Sequence, residues 1–125
     1  MLTSLKEKVL EANKSLAQNR LASLTWGNVS GISREKKLIV IKPSGFAFDL
    51  LKLSDLVVVN LEGVTVEGKL KPSSDVLTHI ELYKAFNKIG AVIHTHSEYA
   101  CMFAQAGKEI PCLGTTHADH FNGPI

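Results

Sequence analysis

The stretch AVIHTHSEYA, Ala91 to Ala100, ends an apolar run in two histidines separated by one threonine. On an extended strand alternate side chains share a face, so His94 and His96 are expected to project together, their backbones about 6 to 7 Å apart. Two imidazoles on one face can converge on a metal, and a zinc site built for chemistry takes three protein ligands and keeps a fourth position open. The pair would supply two of those three. The plainer alternative is two ordinary strand-end histidines, one hydrogen-bonded and one solvated. Asp75, in KPSSD, offers a carboxylate that is a competent zinc ligand, a competent proton acceptor and equally a helix N-cap. Asp119 lies between His117 and His120 in the tail TTHADHF. A carboxylate there can move a proton beside a metal, or stand as a solvated loop residue.

Three further segments share one chemical character: Gly27-Asn28, Lys42 to Gly45 (KPSG) and Pro72 to Asp75 (PSSD). Glycine lets a backbone approach an anion closely, the hydroxyls of Ser44, Ser73 and Ser74 and the amide of Asn28 donate hydrogen bonds, and Lys42 brings a positive charge. Together they have the composition of a cradle for a phosphate monoester, and taken singly each is also an ordinary turn. His79, inside a helical pattern and in register with Tyr83, is given no ligand role, and Trp26 and Tyr83 read as packing residues.

These groups need elements to hold them. Leu2, Leu5, Val9, Leu10, Ala12 and Leu16 recur at helical spacing, so residues 2–19 read as an amphipathic helix. TWGNVSG is a turn or irregular strand. LIVIKPSG is a buried strand cut off by Pro43 and Gly45, and DLVVVNLEGVTVEGKL is two short strands in a hairpin. Ser74 or Asp75 caps a helix that ends near Gly90, AVIHTH follows as a strand, and Ser97 caps a second helix through about Gln105, stopped by Gly107. EIPCLG reads as a brief extended piece, and the tail has no clear period. Helices interleave with strands without regular βαβ spacing, so the expected fold class is α/β, a sandwich around a largely antiparallel or mixed sheet.

With 125 residues the chain has the length of one domain, spanning 1–125. A net charge of +2 gives no field for nucleic acid, and no apolar run approaches a membrane span. Cytoplasmic location is the default expectation. Cys101 and Cys112 form no CxxC pair and suit buried thiols in a reducing compartment.

Taken in order, LTWGNVSG, VIKPSG, KPSSDVLTH, HTHS and GTTHADHF resemble the class II aldolase family and, within it, the L-ribulose-5-phosphate 4-epimerases. The resemblance runs from the first helix to the last ten residues. It implies a Zn2+ enzyme that interconverts phosphorylated ketopentoses by retro-aldol cleavage and re-addition, with the metal as electron sink. It further implies that His94 and His96 bind zinc with Asp75 at the metal, that Gly27, Asn28, Ser44, Gly45, Ser73 and Ser74 hold the substrate around its phosphate, and that Asp119 is an acid/base. The related fuculose- and rhamnulose-phosphate aldolases carry a glutamate where this chain has Asp75, which tilts the expectation toward epimerisation. Aldolase activity and a non-catalytic remnant of the fold are the alternatives. On the family pattern the third zinc histidine and a C-terminal catalytic tyrosine belong to sequence beyond Ile125, so the chain is expected to be an N-terminal portion with the fold incomplete at its C-terminus. Full-length members are expected to be homotetramers.

Overall fold

Two sequence stretches, LIVI and VVV, are apolar at every position, a pattern that fits strands covered on both faces. A computed structural model, which describes residues 2–125, places them so. The described residues up to Thr95 form one compact unit and His96–Ile125 another.

In the first unit, helix α1 (Thr3–Gln18) precedes strands β1 (Asn28–Ser33), β2 (Leu38–Ile41), β3 (Val57–Asn60) and β4 (Thr65–Glu67), then helix α2 (Val76–Ala85) and strand β5 (Ala91–His94). The sheet order is β4-β3-β2-β1-β5, and every neighbouring pair is antiparallel. The fold is thus of the α/β class expected, and of the two kinds of sheet expected it has the antiparallel one. Alternate residues of β2 and β3 feed different cores. Ile39, Ile41, Val57 and Val59 meet Ile80 and Tyr83 of α2, whereas Val40 and Val58 meet Val9 of α1.

Helix α1 lies close on β1. A Cβ on Gly31 would come within 2.8 Å of Leu5 Cδ1 and 3.0 Å of Val9 Cγ2, so glycine permits the contact. Asn13, wholly buried on the same helix, donates to the Val29 carbonyl (2.9 Å) and accepts from the Val29 N–H (2.9 Å). Its amide thereby fixes the strand next to Asn28.

Helix α2 ends at Ala85, short of Gly90, and Arg34 satisfies the carbonyls there. Its guanidinium donates to the carbonyls of Tyr83 (2.8 Å), Phe86 (2.7 Å) and Ile89 (2.7 Å), taking up carbonyls at and beyond the helix end. Strand β5 likewise stops early, at His94, so His96 is not on the strand face expected for it.

The second unit contains α3 (Glu98–Gln105) and α4 (Thr115–Phe121). Gly107 at φ +61° follows α3 where a stop was expected. Residues 109–114 form no strand. The tail, expected to be irregular, is the helix α4, closed by Asn122 in the left-handed region and by paired backbone bonds between Ile110 and Ile125 (2.8 and 3.1 Å). Cys101 and Cys112 are unlinked and half-buried rather than sealed in a core. Among the described residues no helix is long and apolar enough to cross a membrane.

Candidate active site

The site follows from a match of two periods. Four helical residues rise about 6.0 Å and two strand residues about 6.6 to 6.8 Å, so a helix laid along a strand sets every fourth side chain against every second one. Asp75, His79 and Tyr83 recur at that interval on α2 and its N-terminal cap position, and Asn28 and Ser30 on the facing side of β1. Asn28 Nδ2 donates to Asp75 Oδ2 (2.7 Å) and to Ser73 Oγ (3.1 Å). Ser30 Oγ meets both His79 Nδ1 (2.7 Å) and the Tyr83 hydroxyl (2.8 Å). The cross-strand partner of Asn28 is His94, whose Nδ1 is 2.8 Å from the same Asp75 Oδ2.

Asp75 stands at the N-cap position of α2, yet its side chain makes no cap hydrogen bond. The carboxylate is turned to Asn28 and His94 instead. Burial works to raise its pKa, but the hydrogen bonds from His94 and Asn28 and the nearby imidazoles outweigh it, and the net direction is down. An ionised carboxylate only accepts, so His94 Nδ1 carries the proton and, in the neutral ring, the electron pair lies on Nε2. Such a carboxylate–imidazole pairing is what orients a metal-ligating histidine. His79 is driven the other way: burial lowers its pKa to about 4, with Asp75 opposing and His94 adding to the effect.

Gly27 is required by the same geometry. It has φ +81°, and a Cβ there would lie 2.8 Å from the His94 carbonyl oxygen, so the chain entering β1 runs backbone to backbone against the end of β5.

The two proline-serine segments lie side by side. Ser73 N–H donates to the Lys42 carbonyl (3.0 Å) and Ser44 N–H to the Lys71 carbonyl (3.0 Å), around a bridge between Pro43 and Pro72. Ser73 is buried within the Asn28 network, whereas Ser44, Gly45 and Ser74 are exposed. Lys42 is 1% exposed. Its ammonium donates to the Thr25 carbonyl (3.2 Å) and sits 4.6 Å over the Phe48 ring, and burial lowers its pKa. It therefore lies under the segment leading to Gly27. Trp26, expected to pack, is 57% exposed, while Tyr83 is buried as expected.

The remaining candidates belong to the second unit. His96 precedes α3 and is exposed, and Asp119 is exposed on α4. His117 Nε2 lies 2.7 Å from the Gly123 carbonyl and His120 Nδ1 2.8 Å from that of Thr116, so both rings donate to backbone near their own helix.

The residue types at Asp75 and His94 suit a divalent metal, one carboxylate oxygen and one imidazole nitrogen. In number they fall short, because no group of three or more such ligands gathers among the described residues. Another buried atom lacks a partner: Asn28 Oδ1 accepts no hydrogen bond among the described residues.

The Class II Aldolase and Adducin N-terminal domain family matches residues 7–125. The chain belongs to this family. Among solved structures of class II aldolase relatives, an L-fuculose 1-phosphate aldolase is 37% identical with a TM-score of 0.82, over 87% of this chain and 51% of that one. The L-fuculose 1-phosphate aldolase from Glaciozyma antarctica PI12 is 26% identical with a TM-score of 0.83, over 96% and 51%. YgbL from Escherichia coli, described by the alternatives aldolase, epimerase and decarboxylase, is 28% identical with a TM-score of 0.75, over 82% and 48%. The chain thus spans about half the length of each.

The Asn28–Asp75 contact and the Ser30–His79–Tyr83 cluster escaped the sequence reading. The signal was present, as an acidic residue, a histidine and a tyrosine four apart facing Asn-x-Ser. It becomes readable only once α2 is known to cross β1.

Proposed function

We propose that this chain carries the phosphate and metal half of an enzyme that epimerises L-ribulose 5-phosphate to D-xylulose 5-phosphate by retro-aldol cleavage and re-addition. The observation that carries the reading is the convergence of Asn28 Nδ2 and His94 Nδ1 on Asp75 Oδ2, with the other amide atom, Asn28 Oδ1, buried and accepting no hydrogen bond among the described residues. A buried acceptor of this kind is satisfied by a ligand that donates, as a sugar hydroxyl does.

Each residue has a task. Asp75 orients the His94 ring through Nδ1 so that Nε2 offers an electron pair to a Zn2+ ion. His96, two residues along the chain, is added as the second imidazole on its sequence position. The metal, when bound, acts as a Lewis acid toward the sugar oxygens. Ser73 and Asn28, with Gly27, Ser44, Gly45 and Ser74, surround the phosphate, and the buried Lys42 ammonium supplies positive charge from beneath. Asp119 is assigned the acid/base role on its motif. Residues 1–125 are taken as the N-terminal portion of one domain, and the assembly as a homotetramer. Exposed Tyr99, Met102, Leu113 and Phe121 in the second unit support further packing there.

Asp75 also bears on the choice of reaction. Breaking and re-forming one carbon–carbon bond requires protons to move only on oxygen. Releasing the two fragments, by contrast, requires the enediolate left by cleavage to take a proton on carbon, from a group that exchanges a proton with carbon. A carboxylate held by two hydrogen bonds with its pKa lowered is a poor carbon base. That supports epimerisation. The likeness to an L-fuculose 1-phosphate aldolase favours the second reading, an aldolase acting on a phosphorylated ketose.

Product analysis separates the two. Incubation with L-ribulose 5-phosphate and Zn2+, followed by 31P NMR, is expected to yield D-xylulose 5-phosphate without free glycolaldehyde phosphate. Accumulation of glycolaldehyde phosphate without epimer would replace the epimerase reading by the aldolase one.

A further inference from the structure

Behind the Asp75–His94 pair, Ser30, His79 and Tyr83 are each no more than 1% exposed and joined through Ser30 Oγ. The direction of these bonds follows from counting protons. Among the described residues Ser30 Oγ is the acceptor within reach of the Tyr83 hydroxyl, and the Val92 backbone N–H approaches the phenol as a donor. A buried hydroxyl left without an acceptor is costly, so Tyr83 donates to Ser30. The Ser30 proton then goes to its other neighbour, His79 Nδ1, which must hold the electron pair. The imidazole proton is therefore on Nε2. The reverse arrangement, in which His79 donates to Ser30 and Ser30 to Tyr83, strands the Tyr83 proton.

His79 lines a cleft of about 270 Å³ between α2 and β5, together with Asp75, Thr78, Leu82 and His94. Its Nδ1 is taken up by Ser30, so Nε2 is the ring nitrogen left to serve the cleft. With Nδ1 accepting from Ser30 the ring carries a single proton and is neutral. A neutral imidazole that donates without surrendering its proton suits an oxygen gaining negative charge during bond cleavage.

We propose that His79 is a substrate-binding residue whose Nε2–H, aimed by the Tyr83–Ser30 relay, donates to a carbonyl or hydroxyl oxygen of the phosphorylated sugar held beside Asp75 and His94. Ser30 and Tyr83 are positioning residues. The identity of the ligand rests on the sugar-phosphate reading, whereas the tautomer does not.

Long-range 1H–15N correlation on the full chain at pH 7 reads the tautomer directly. The expected result is a protonated Nε2 and an unprotonated Nδ1 at His79, and the opposite pattern overturns the proposal. Tyr83→Phe keeps the ring and removes the donor that orders the relay, so a mixture of tautomers is expected. An unchanged pattern in that variant would overturn the relay. The probe for binding is L-ribulose 5-phosphate with Zn2+. Saturation is expected to move the His79 Nε2–H resonance, and His79→Leu to weaken binding about tenfold, the factor carried by one hydrogen bond, while His79→Gln stays within about threefold. Should His79→Leu not fold, the wild-type resonance decides. Binding that leaves this resonance unmoved refutes the role of His79 and leaves the sugar-phosphate reading intact. Absence of any binding by the wild type refutes that reading and the ligand role with it.

Discussion

Acid should destabilise the first unit through His79, and the size of the effect can be worked out. Unfolded, the ring takes up a proton near its ordinary value of 6.5; folded, burial delays protonation to about 4. Between those values the unfolded state binds more protons, so stability is full above pH 6.5 and falls as the pH drops toward 4. At 1.36 kcal/mol per pH unit the whole gap is worth about 3 kcal/mol, and about 2 kcal/mol of it is lost by pH 5. Because His79 is 1% exposed, solvent screening does little to reduce this. Asp75 acts in the same direction, since a carboxylate with a lowered pKa also loses its contribution as it protonates. The comparison that isolates the histidine is His79→Gln, whose amide accepts from Ser30 and donates toward the cleft without titrating. In urea unfolding at pH 7.5 and pH 5, with slopes of about 1 to 2 kcal/mol/M, the wild-type midpoint should fall by about 1 to 2 M more than that of the variant. Equal losses in the two proteins would refute the placement of a neutral, buried His79.

Other perturbations separate the parts of the site. Gly27→Ala forces a side chain to φ +81° and into the His94 carbonyl, so a loss of about 2 kcal/mol or more is expected, whereas Gly45→Ala, at φ +64° with nothing within 4 Å, should lose about 1 kcal/mol; thermal melts of the pair check the contrast. Arg34→Met removes the donor to three carbonyls and should destabilise by about 2 to 4 kcal/mol, with hydrogen exchange rising first at the C-terminal turn of α2. Asp75→Ala deprives Asn28 and His94 of their shared acceptor and is expected to weaken Zn2+ binding about 10- to 100-fold, as isothermal titration would measure.

The layers of the fold were legible because LIVI and VVV leave no polar face, and strands of that kind have to be covered on both sides. The types of the site residues were legible too, since Asn28, Ser73, Asp75 and His94 all stood out for their chemistry. What joins them was not. Asn28 and Asp75 are 47 positions apart in sequence, and only the packing of α2 along β1 sets one against the other. Helix α4 was missed because it has seven residues, polar for the most part, and starts from Gly114, which offers no capping side chain. Strand β5 was read two residues too long because alternation in AVIHTH continues past the point where pairing with β1 ends at Asn28.

On this account His94, its ring oriented by Asp75, holds a divalent metal together with His96. This claim is tested most directly by Zn2+ content per chain after exhaustive dialysis of the wild type and of His94→Ala. About one tightly held Zn2+ in the wild type and none in the variant is the expected result. A wild type that retains no Zn2+, or a variant that retains as much as the wild type, would contradict it.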